Sequence, residues 1–267
     1  MNIVVCVKQV PEIALVTVDA AAGSLNLPQS PGMMNPFDAY AVEEALRLKE
    51  KSGGTVWVLS LGGKEADYAL REGLALGADE AVHLMDDKFA GLDTIGASAV
   101  LAAGIKKIGS ADLVIFGKQA VDYDSSTVGA AVGGVLNWPA VMYVRKIESI
   151  GDGKMVVERM TDDGFDKVTA PTPAVISVVK EINEPRLPSL KGKMNAKKKT
   201  IAVYGAADLG VDLNAAVITD ASTTAKAANP PARPKGEMIT GATPAEIFLR
   251  LPPAHLSAVP PPRVPVR

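Results

Sequence analysis

Short apolar runs alternate with amphipathic segments along the first half of the chain. The runs are rich in Val, Ile and Leu and occupy residues 3–7, 56–61, 81–84 and 113–116. Between them, apolar residues recur three and four positions apart, which is the spacing of a helix that buries one face. Buried strands that alternate with such helices are typical of an α/β fold. We therefore predict a doubly wound parallel sheet with helices on both faces.

Local signals mark where the helices begin and end. Asn35 followed by Pro36 predicts an N-cap and a proline in the first helical turn. Gly53 and Gly77 predict helix ends, because glycine readily adopts the backbone conformation that terminates a helix. The three helical segments lie at residues 41–48, 69–76 and 95–105.

The pattern changes after the middle of the chain. Strand-type runs at 141–147, 155–159 and 174–179 are joined by turn signals at 151–153 and 162–164. Turns of this kind connect antiparallel neighbours. We therefore predict an antiparallel addition at the edge of the parallel sheet.

The last third of the chain is rich in basic residues and then in proline. Residues 180–200 contain seven Lys or Arg against two Glu and show no helical or strand period, which predicts an exposed basic arm. Ten of the nineteen prolines lie from Asn229 onward, so we expect an extended or disordered end. Within that end, Thr243 and Glu246 have the spacing of a capping box and predict a short amphipathic helix.

Composition narrows the classes of function. Lys and Arg total 28 against 30 Asp and Glu, so net charge favours neither a nucleic-acid partner nor an anionic membrane surface. The only cysteine, Cys6, lies in an apolar run, and we predict a core residue in a reducing, cytoplasmic setting. The N-terminal apolar run is too short for a signal peptide or a membrane span. His83 and His255 lack neighbouring ligand residues, so we expect no metal site.

The clearest sign of function is the polar segment 117–127, which follows the apolar run 113–116. Ligands of open α/β sheets bind outside the carboxyl ends of the strands, where this segment falls. Hydroxyl groups at 125–127 can cap the following helix, whose N–H groups and dipole favour a phosphate. Asp122 and Asp124 would repel a phosphate, so we expect them to face ribose hydroxyls, an adenine amino group or backbone N–H donors. An ordinary capped helix without a ligand is the alternative interpretation.

Motifs of familiar catalytic chemistry are absent from the sequence. It contains no GxGxxG or Walker loop and nothing that resembles a nucleophile elbow or a catalytic triad. The polar segment is therefore predicted to hold a nucleotide, with the chemistry supplied by the cofactor.

Four collinear segments resemble the β subunit of electron transfer flavoprotein (ETF). They are Val7-Lys-Gln-Val-Pro11, Met34-Asn-Pro-Phe-Asp38, Gly117-Lys-Gln-Ala-Val-Asp122, and Asn183-Glu-Pro-Arg186 followed by Ala196-Lys-Lys-Lys199. The resemblance covers roughly residues 1–215. It implies a core of the adenine-nucleotide α-hydrolase type and a heterodimer with an α subunit that holds FAD. It also implies electron transfer between an acceptor and flavin dehydrogenases such as an acyl-CoA dehydrogenase.

The resemblance implies individual contacts as well. Leu190 aligns with the apolar residue of the family's partner-recognition loop, and we expect Lys191 and Lys197 to dock beside it. The implied nucleotide contacts are Cys6, Asn35, Pro36, Phe37, Asp38, Leu61, Gly117, Lys118, Gln119, Ala120, Val121, Asp122, Tyr123, Asp124, Ser125, Ser126, Thr127 and Val128.

The nucleotide in this subunit divides the family. One branch holds AMP, and the other holds a second FAD that reacts with NADH and bifurcates electrons. Residues 89–98 and 7–11 resemble the FAD branch, so Asp93, Thr94 and Ser98 become candidate flavin contacts. We favour FAD, with NADH as a possible electron donor and AMP as the alternative.

Several positions depart from the FAD branch. Gly96 and Ala97 stand where that branch has Ala and Thr, and Tyr123 replaces a small residue. In addition, the segment 137–139 resembles the AMP branch. These departures keep the AMP alternative open.

These inferences predict three parts of the chain. Residues 1–180 form the nucleotide-binding α/β domain with its antiparallel edge, 181–200 the basic partner-recognition loop, and 201–267 a C-terminal arm that packs on the α subunit. A nucleotide-sensing module of the universal-stress type is the alternative from another functional class. Such a module needs no basic arm and would end soon after its last strand.

Overall fold

The computed structural model describes residues 1–211, 227–233, 236, 238–244 and 246. The chain divides into two compact units, Met1–Ala228 and Asn229–Arg267. In the second unit, the predicted cap is present: the N–H of Glu246 donates to Oγ1 of Thr243 at 3.3 Å. The remainder of that predicted helix and most of the proline-rich end lie outside the described residues.

Strands account for much of the first unit. Their bounds are β1 Asn2–Cys6, β2 Gln9–Val10, β3 Thr17–Asp19, β4 Ser24–Asn26, β5 Met33–Met34, β6 Thr55–Leu61, β7 Glu80–Leu84, β8 Leu113–Gly117, β9 Ala140–Gly151, β10 Lys154–Thr161, β11 Gly164–Pro171, β12 Ala174–Val178 and β13 Ala202–Tyr204.

Helices connect the central strands. Their bounds are α1 Pro36–Ser52, α2 Ala66–Leu76, α3 Thr94–Ile108, α4 Val128–Leu136, α5 Leu190–Lys198 and α6 Ala206–Leu209, with single 3-10 turns at Ile13–Leu15, Asp87–Phe89 and Lys180–Ile182. In the part of the chain that the structure describes, no helix combines the length and apolar character needed to cross a bilayer.

The main sheet confirms the predicted α/β fold. Within the described residues it has nine strands in the order β11-β10-β9-β12-β8-β1-β6-β7-β13. All neighbours from β9 to β13 in this order run parallel. The chain starts at β1, extends outward to β6 and β7, and then crosses to β8. The sheet therefore has a switch point between β1 and β8, and crevices at such points bind ligands.

The core has two layers, one on each face of the sheet. Helices α1, α2 and α5 pack on the face that includes Ile3, Val5 and Val7, whereas α3, α4 and α6 pack on the other. Residues 3–5 are fully buried, which explains their continuous apolar run. Cys6 is buried as predicted, and this burial raises the pKa of its thiol.

The edge formed by residues 140–178 differs from the prediction in two ways. Strands β9 and β10 are antiparallel as expected, but β12 runs parallel between β8 and β9. Because β12 lies between two other strands, it belongs to the interior of the sheet, and all five of its residues are buried. Strand β11 was not predicted, since most of its residues are exposed and it has no apolar run.

The basic arm is also different from the prediction. Residues 190–198 form α5, although the sequence shows no helical period there. The helix buries only Ala196 and depends on its contacts with α2. Farther on, β13 pairs in parallel with β7, so the start of the predicted C-terminal arm completes the main sheet. The small pairs β2–β5 and β3–β4, before α1, were not predicted.

Candidate functional site

A cavity of about 820 Å³ opens at the switch point of the sheet. Its floor is formed by the ends of β1 and β8 together with the first turn of α1. The first turns of α3, the end of β6, and one residue each from β9 and β12 also line the cavity. The segment between β8 and α4, which we call the main loop (residues 118–127), closes the remaining side.

Asn35 joins the main loop to α1. It occupies the N-cap position of α1 as predicted, but its side chain makes no capping hydrogen bond. Instead, Nδ2 donates to the carbonyl oxygen of Gln119 at 2.8 Å, and Oδ1 accepts from the N–H of Val121 at 3.2 Å. Nδ2 also donates to Oδ1 of Asp38 at 2.9 Å. The fully buried amide therefore fixes the loop over the cavity floor.

Asp38 is a buried carboxylate beneath the cavity. Its Oδ2 accepts from the N–H of Lys8 at 2.8 Å, and its Oδ1 accepts from Asn35. Burial raises the pKa of Asp38 from 3.8 to about 7, although these donors and the N–H of Gly117 favour the charged form. The carboxyl group thus titrates near neutral pH, and its charge also contributes to the raised pKa of Cys6.

Gly117 permits the close approach of α1 and β8. A Cβ atom at this position would lie 2.6 Å from the carbonyl carbon of Phe37 and 2.8 Å from the backbone nitrogen of Asp38. Both of these neighbours are backbone atoms and cannot rotate away. Glycine is therefore required here by space alone, and any side chain would displace the floor of the cavity.

The two aspartates of the main loop do not line the cavity and are paired with side chains of this chain, whereas we expected ribose hydroxyls, an adenine amino group or backbone N–H donors as their partners. Asp122 forms an ion pair with Lys8 at 2.5 Å, and Asp124 accepts from Nε2 of Gln119 at 2.7 Å. Asp124 and Ser126 both have positive φ. The aspartates therefore stabilise a tightly turned loop through their pairs with Lys8 and Gln119, and neither lines the cavity.

The start of α4 is open to the cavity. Thr127 is the N-cap residue, yet among the described side chains none caps this helix, so the predicted capping by residues 125–127 is wrong. Ser125, Ser126 and Thr127 line the cavity instead. Helix α4 consequently presents its first-turn N–H groups and positive dipole end without a bound side chain.

The start of α3 is built differently. Asp93 caps this helix, and its Oδ1 accepts from the N–H groups of Ile95 and Gly96 at 2.9 Å each. Thr94 lines the cavity, whereas Ser98 is fully buried and donates its hydroxyl to the carbonyl oxygen of Thr94 at 2.6 Å. Ser98 was predicted to contact the flavin, but it does not line the cavity.

The structure brings most of the predicted site residues together. Those that do not line the cavity are Pro36, Phe37, Ser98, Val121, Asp122 and Asp124, and the remaining fifteen do. Ten further residues line the cavity and were not predicted from the sequence: Val7, Lys8, Gly91, Leu92, Ala97, Leu101, Phe116, Gly129, Met142 and Ser177.

Comparison with known proteins places this architecture in a family. A family model described as the electron transfer flavoprotein domain matches residues 26–209. The chain belongs to the electron transfer flavoprotein family. An ETF subunit beta from Thermoanaerobacterium thermosaccharolyticum is 42% identical over 243 residues, which cover 90% of this chain and 93% of the relative. The predicted resemblance to ETF β subunits is thus confirmed.

Two further relatives extend this comparison. Subunit CarD of the caffeyl-CoA reductase-Etf complex from Acetobacterium woodii is 41% identical over 249 residues, which cover 92% of this chain and 95% of the relative. An ETF subunit beta from Mycobacterium tuberculosis is 39% identical over 249 residues, which cover 90% and 92%, respectively. The matches thus cover more than nine-tenths of each of these three relatives, and the role of the family is electron transfer.

A second surface of this ETF chain lies on α5. Ser189 caps α5, since its Oγ accepts from the N–H of Gly192 at 3.0 Å. Leu187 is 90% exposed, Leu190 77% and Met194 53%. We call these three side chains the apolar ridge. Lys191 and Lys197 are also exposed, so the ridge is an apolar surface with cations nearby.

Proposed function

We propose that this chain pairs with an ETF α subunit and that its cavity binds FAD. In this proposal the heterodimer passes electrons between a flavin dehydrogenase and an acceptor. The observation that carries the proposal is the continuity of the cavity from the main loop to the first turn of α3. FAD consists of an AMP unit joined to FMN, so it needs space beyond an adenosine phosphate site.

The residues at one end of the cavity fit a diphosphate. The open start of α4 offers backbone N–H donors, and the hydroxyl groups at 125–127 add further donors. Lys118 adds a positive charge, and within the described residues it has no carboxylate partner. Its Nζ lies 5.9 Å from the ring centre of Tyr143. This arrangement can neutralise an anion in a partly enclosed site.

The walls of the cavity fit flat aromatic rings. Leu61, Leu101, Phe116, Val128 and Met142 provide apolar surface on several sides. FAD supplies the electron-transfer chemistry when it is bound. The side chains of this chain hold the rings, orient them and exclude water. AMP would occupy only part of the same cavity and remains the alternative occupant.

The names of the relatives support a redox partner of the acyl-CoA type. CarD is named as a subunit of a complex of a caffeyl-CoA reductase with an Etf. For this chain, an acyl-CoA dehydrogenase is accordingly the partner that we propose, and the apolar ridge on α5 is the proposed docking surface. We extend the proposal to NADH as electron donor and to electron bifurcation, which both require flavin in this cavity.

Thr94→Val tests the cofactor assignment. Thr94 lines the cavity, and its hydroxyl forms no hydrogen bond with any described residue. A flavin atom left without this partner should lose about 1–3 kcal/mol of binding. We expect lower FAD content in the cavity with unchanged FAD in the α subunit, measured by extracting nucleotides from the purified heterodimer.

The matched control is Ser98→Ala, one helical turn away. The Ser98 hydroxyl donates to the carbonyl oxygen of Thr94, lies 3.5 Å from that of Val128 and does not line the cavity, so its loss should leave the FAD content unchanged. The wild-type heterodimer should contain two FAD molecules, and NADH should bleach them. One FAD and one AMP would contradict the FAD assignment and the NADH reaction, while the role of an electron carrier would stand.

Leu190→Ala tests the docking surface. Removing an exposed apolar anchor should weaken the encounter with the dehydrogenase by about 1–3 kcal/mol. We expect a higher KM for the heterodimer in steady-state electron transfer from an acyl-CoA dehydrogenase. Cofactor content and heterodimer assembly should not change, because Leu190 lies outside the cavity.

The control for this experiment is another exposed apolar side chain. Phe165 is 53% exposed and lies on β11 at one edge of the sheet, whereas α5 packs on α2 beside β6 and β7 toward the other edge, so Phe165→Ala should leave the KM unchanged. An unchanged KM for Leu190→Ala would show that α5 does not carry the docking surface.

A further inference from the structure

We infer that Arg71 on α2 is a positioning residue for electron transfer, because it holds α5 in the orientation that docks the partner. The inference rests on the docking role proposed above for the apolar ridge. Arg71 itself does not belong to that ridge. It acts on α5 from the opposite side, through the backbone at the C-terminal end of the helix.

Arg71 makes the contacts of a fixed helix cap. Its Nε donates to Oδ2 of Asp67 at 2.7 Å, one turn earlier on α2, which orients the guanidinium group. Nη1 donates to the carbonyl oxygen of Ala196 at 2.7 Å and lies 3.4 Å from those of Lys197 and Lys199. Carbonyl groups in the last turn of a helix lack partners within the helix, and a cation favours this negative end of the dipole. Arg71 therefore satisfies both needs.

Gly192 allows α5 to lie directly against α2. A Cβ atom at this position would overlap the carbonyl oxygen of Ala75 at the end of α2. Ala196, one turn later, is buried in the same contact. Side chains on this face of α5 are thus small or absent, and the helix packs with its backbone against its neighbour.

The segment before α5 is held as well. Arg186 forms ion pairs with Glu43 at 2.7 Å and Glu50 at 2.6 Å, both on α1. Arg47 donates to the carbonyl oxygen of Glu184 at 3.2 Å. Contacts therefore hold the chain on both sides of α5. Residues 184–186 bind α1 before the helix, and Arg71 of α2 binds the carbonyl groups at its end.

These contacts matter because α5 has little intrinsic stability. It has nine residues, which is shorter than helices that form alone in water. Leu190 and Met194 are four residues apart and share a face only while the helix is intact. If only a fraction of molecules has α5 in place, the apparent affinity for the partner is the intrinsic affinity multiplied by that fraction. Arg71 keeps this fraction high.

The test uses the purified heterodimer and an acyl-CoA dehydrogenase with its acyl-CoA substrate. Arg71→Ala should raise the KM for the heterodimer about 2-fold or more, because a roughly ten-fold shift of the α5 equilibrium, from about 10:1 to about 1:1, halves the fraction of molecules with α5 in place. The kcat should not change, because the cofactor sites are intact. Amide hydrogen exchange in residues 190–198 should become faster. Arg71→Lys keeps a cation near these carbonyls and should recover part of the loss.

A second variant makes the test independent of charge. Gly192→Ala raises the intrinsic helix propensity of α5 but forces it away from Ala75, so it should also raise the KM. The control is Lys167→Ala. It removes the surface ion pair between Lys167 on β11 and Glu148 on β9, whose length of 2.6 Å is close to that of the Arg71–Asp67 contact, 2.7 Å. This variant should behave as the wild type.

The outcomes separate the two proposals. A raised KM for Leu190→Ala, with wild-type KM and amide exchange for Arg71→Ala and Gly192→Ala, would leave the docking role standing and overturn the positioning role of Arg71. An unchanged KM for Leu190→Ala would refute the docking role, and the inference about Arg71 would fall with it.

Discussion

Gly117→Ala should destabilise the protein by about 3 kcal/mol, the upper part of the range for overpacking, and should empty the nucleotide cavity. The added methyl group would meet the backbone of Phe37 and Asp38 at 2.6 and 2.8 Å. To relieve this overlap, the first turn of α1 would have to move away from β8. That movement would break the contact between Asn35 and Gln119, which holds the main loop over the cavity floor.

The measurement is urea unfolding of the variant, together with the amount of nucleotide that the purified heterodimer releases on heating. Gly134→Ala is the matched control, because Gly134 lies in α4 and no described atom comes within 4 Å of a Cβ placed there. That substitution should be neutral or stabilising by up to about 1 kcal/mol. Nucleotide content near the wild-type level in Gly117→Ala would mean that the floor tolerates a side chain.

The parts of the fold that the sequence predicted are those in which burial decides the residue type. Strands β1, β6, β7 and β8 are covered on both faces, so they read as continuous apolar runs. The glycines that end α1 and α2 do so in the structure. By contrast, α5 and β11 are stabilised by neighbours that are distant in sequence. Arg71 caps a helix that ends more than one hundred residues later, and no local pattern in α5 records this contact.

The same distinction applies to the site. The main loop and the start of α3 were found because each is a contiguous motif. Met142 and Ser177 were missed because the order of strands in the sheet alone brings them to the cavity. The role of Asn35 was predicted from its position before Pro36, but its partners Gln119 and Val121 come from a different part of the chain. Asn35 was therefore predicted to cap α1 with its side chain, whereas in the structure that side chain links the start of α1 to the main loop.

The nucleotide-free protein should lose stability as pH rises from about 4 to about 7, through the titration of Asp38. Burial raises the pKa of this carboxyl group from 3.8 to about 7 in the folded protein. Between these values the folded state binds a proton that the unfolded state has lost. The contribution of Asp38 is therefore fully present below pH 3.8 and is lost as pH rises through 7. The difference corresponds to about 4 kcal/mol.

Urea unfolding of the wild type and of Asp38→Asn across this pH range measures the effect. The variant cannot titrate at this position, so the stability difference between the two proteins should change with pH by most of that amount. Glu44→Gln is the control for nucleotide content: burial also raises the pKa of Glu44, so its stability difference should change with pH in the same direction, but Glu44 contacts Asn183 rather than the cavity floor and its loss should not lower nucleotide content. Asp38→Asn should in addition lower nucleotide content, because its NH2 group would face one of the two donors, the N–H of Lys8 or Nδ2 of Asn35, and leave that donor without an acceptor. A pH-independent difference between the wild type and Asp38→Asn would show that the carboxylate is charged throughout, with its three donors outweighing the cost of burial.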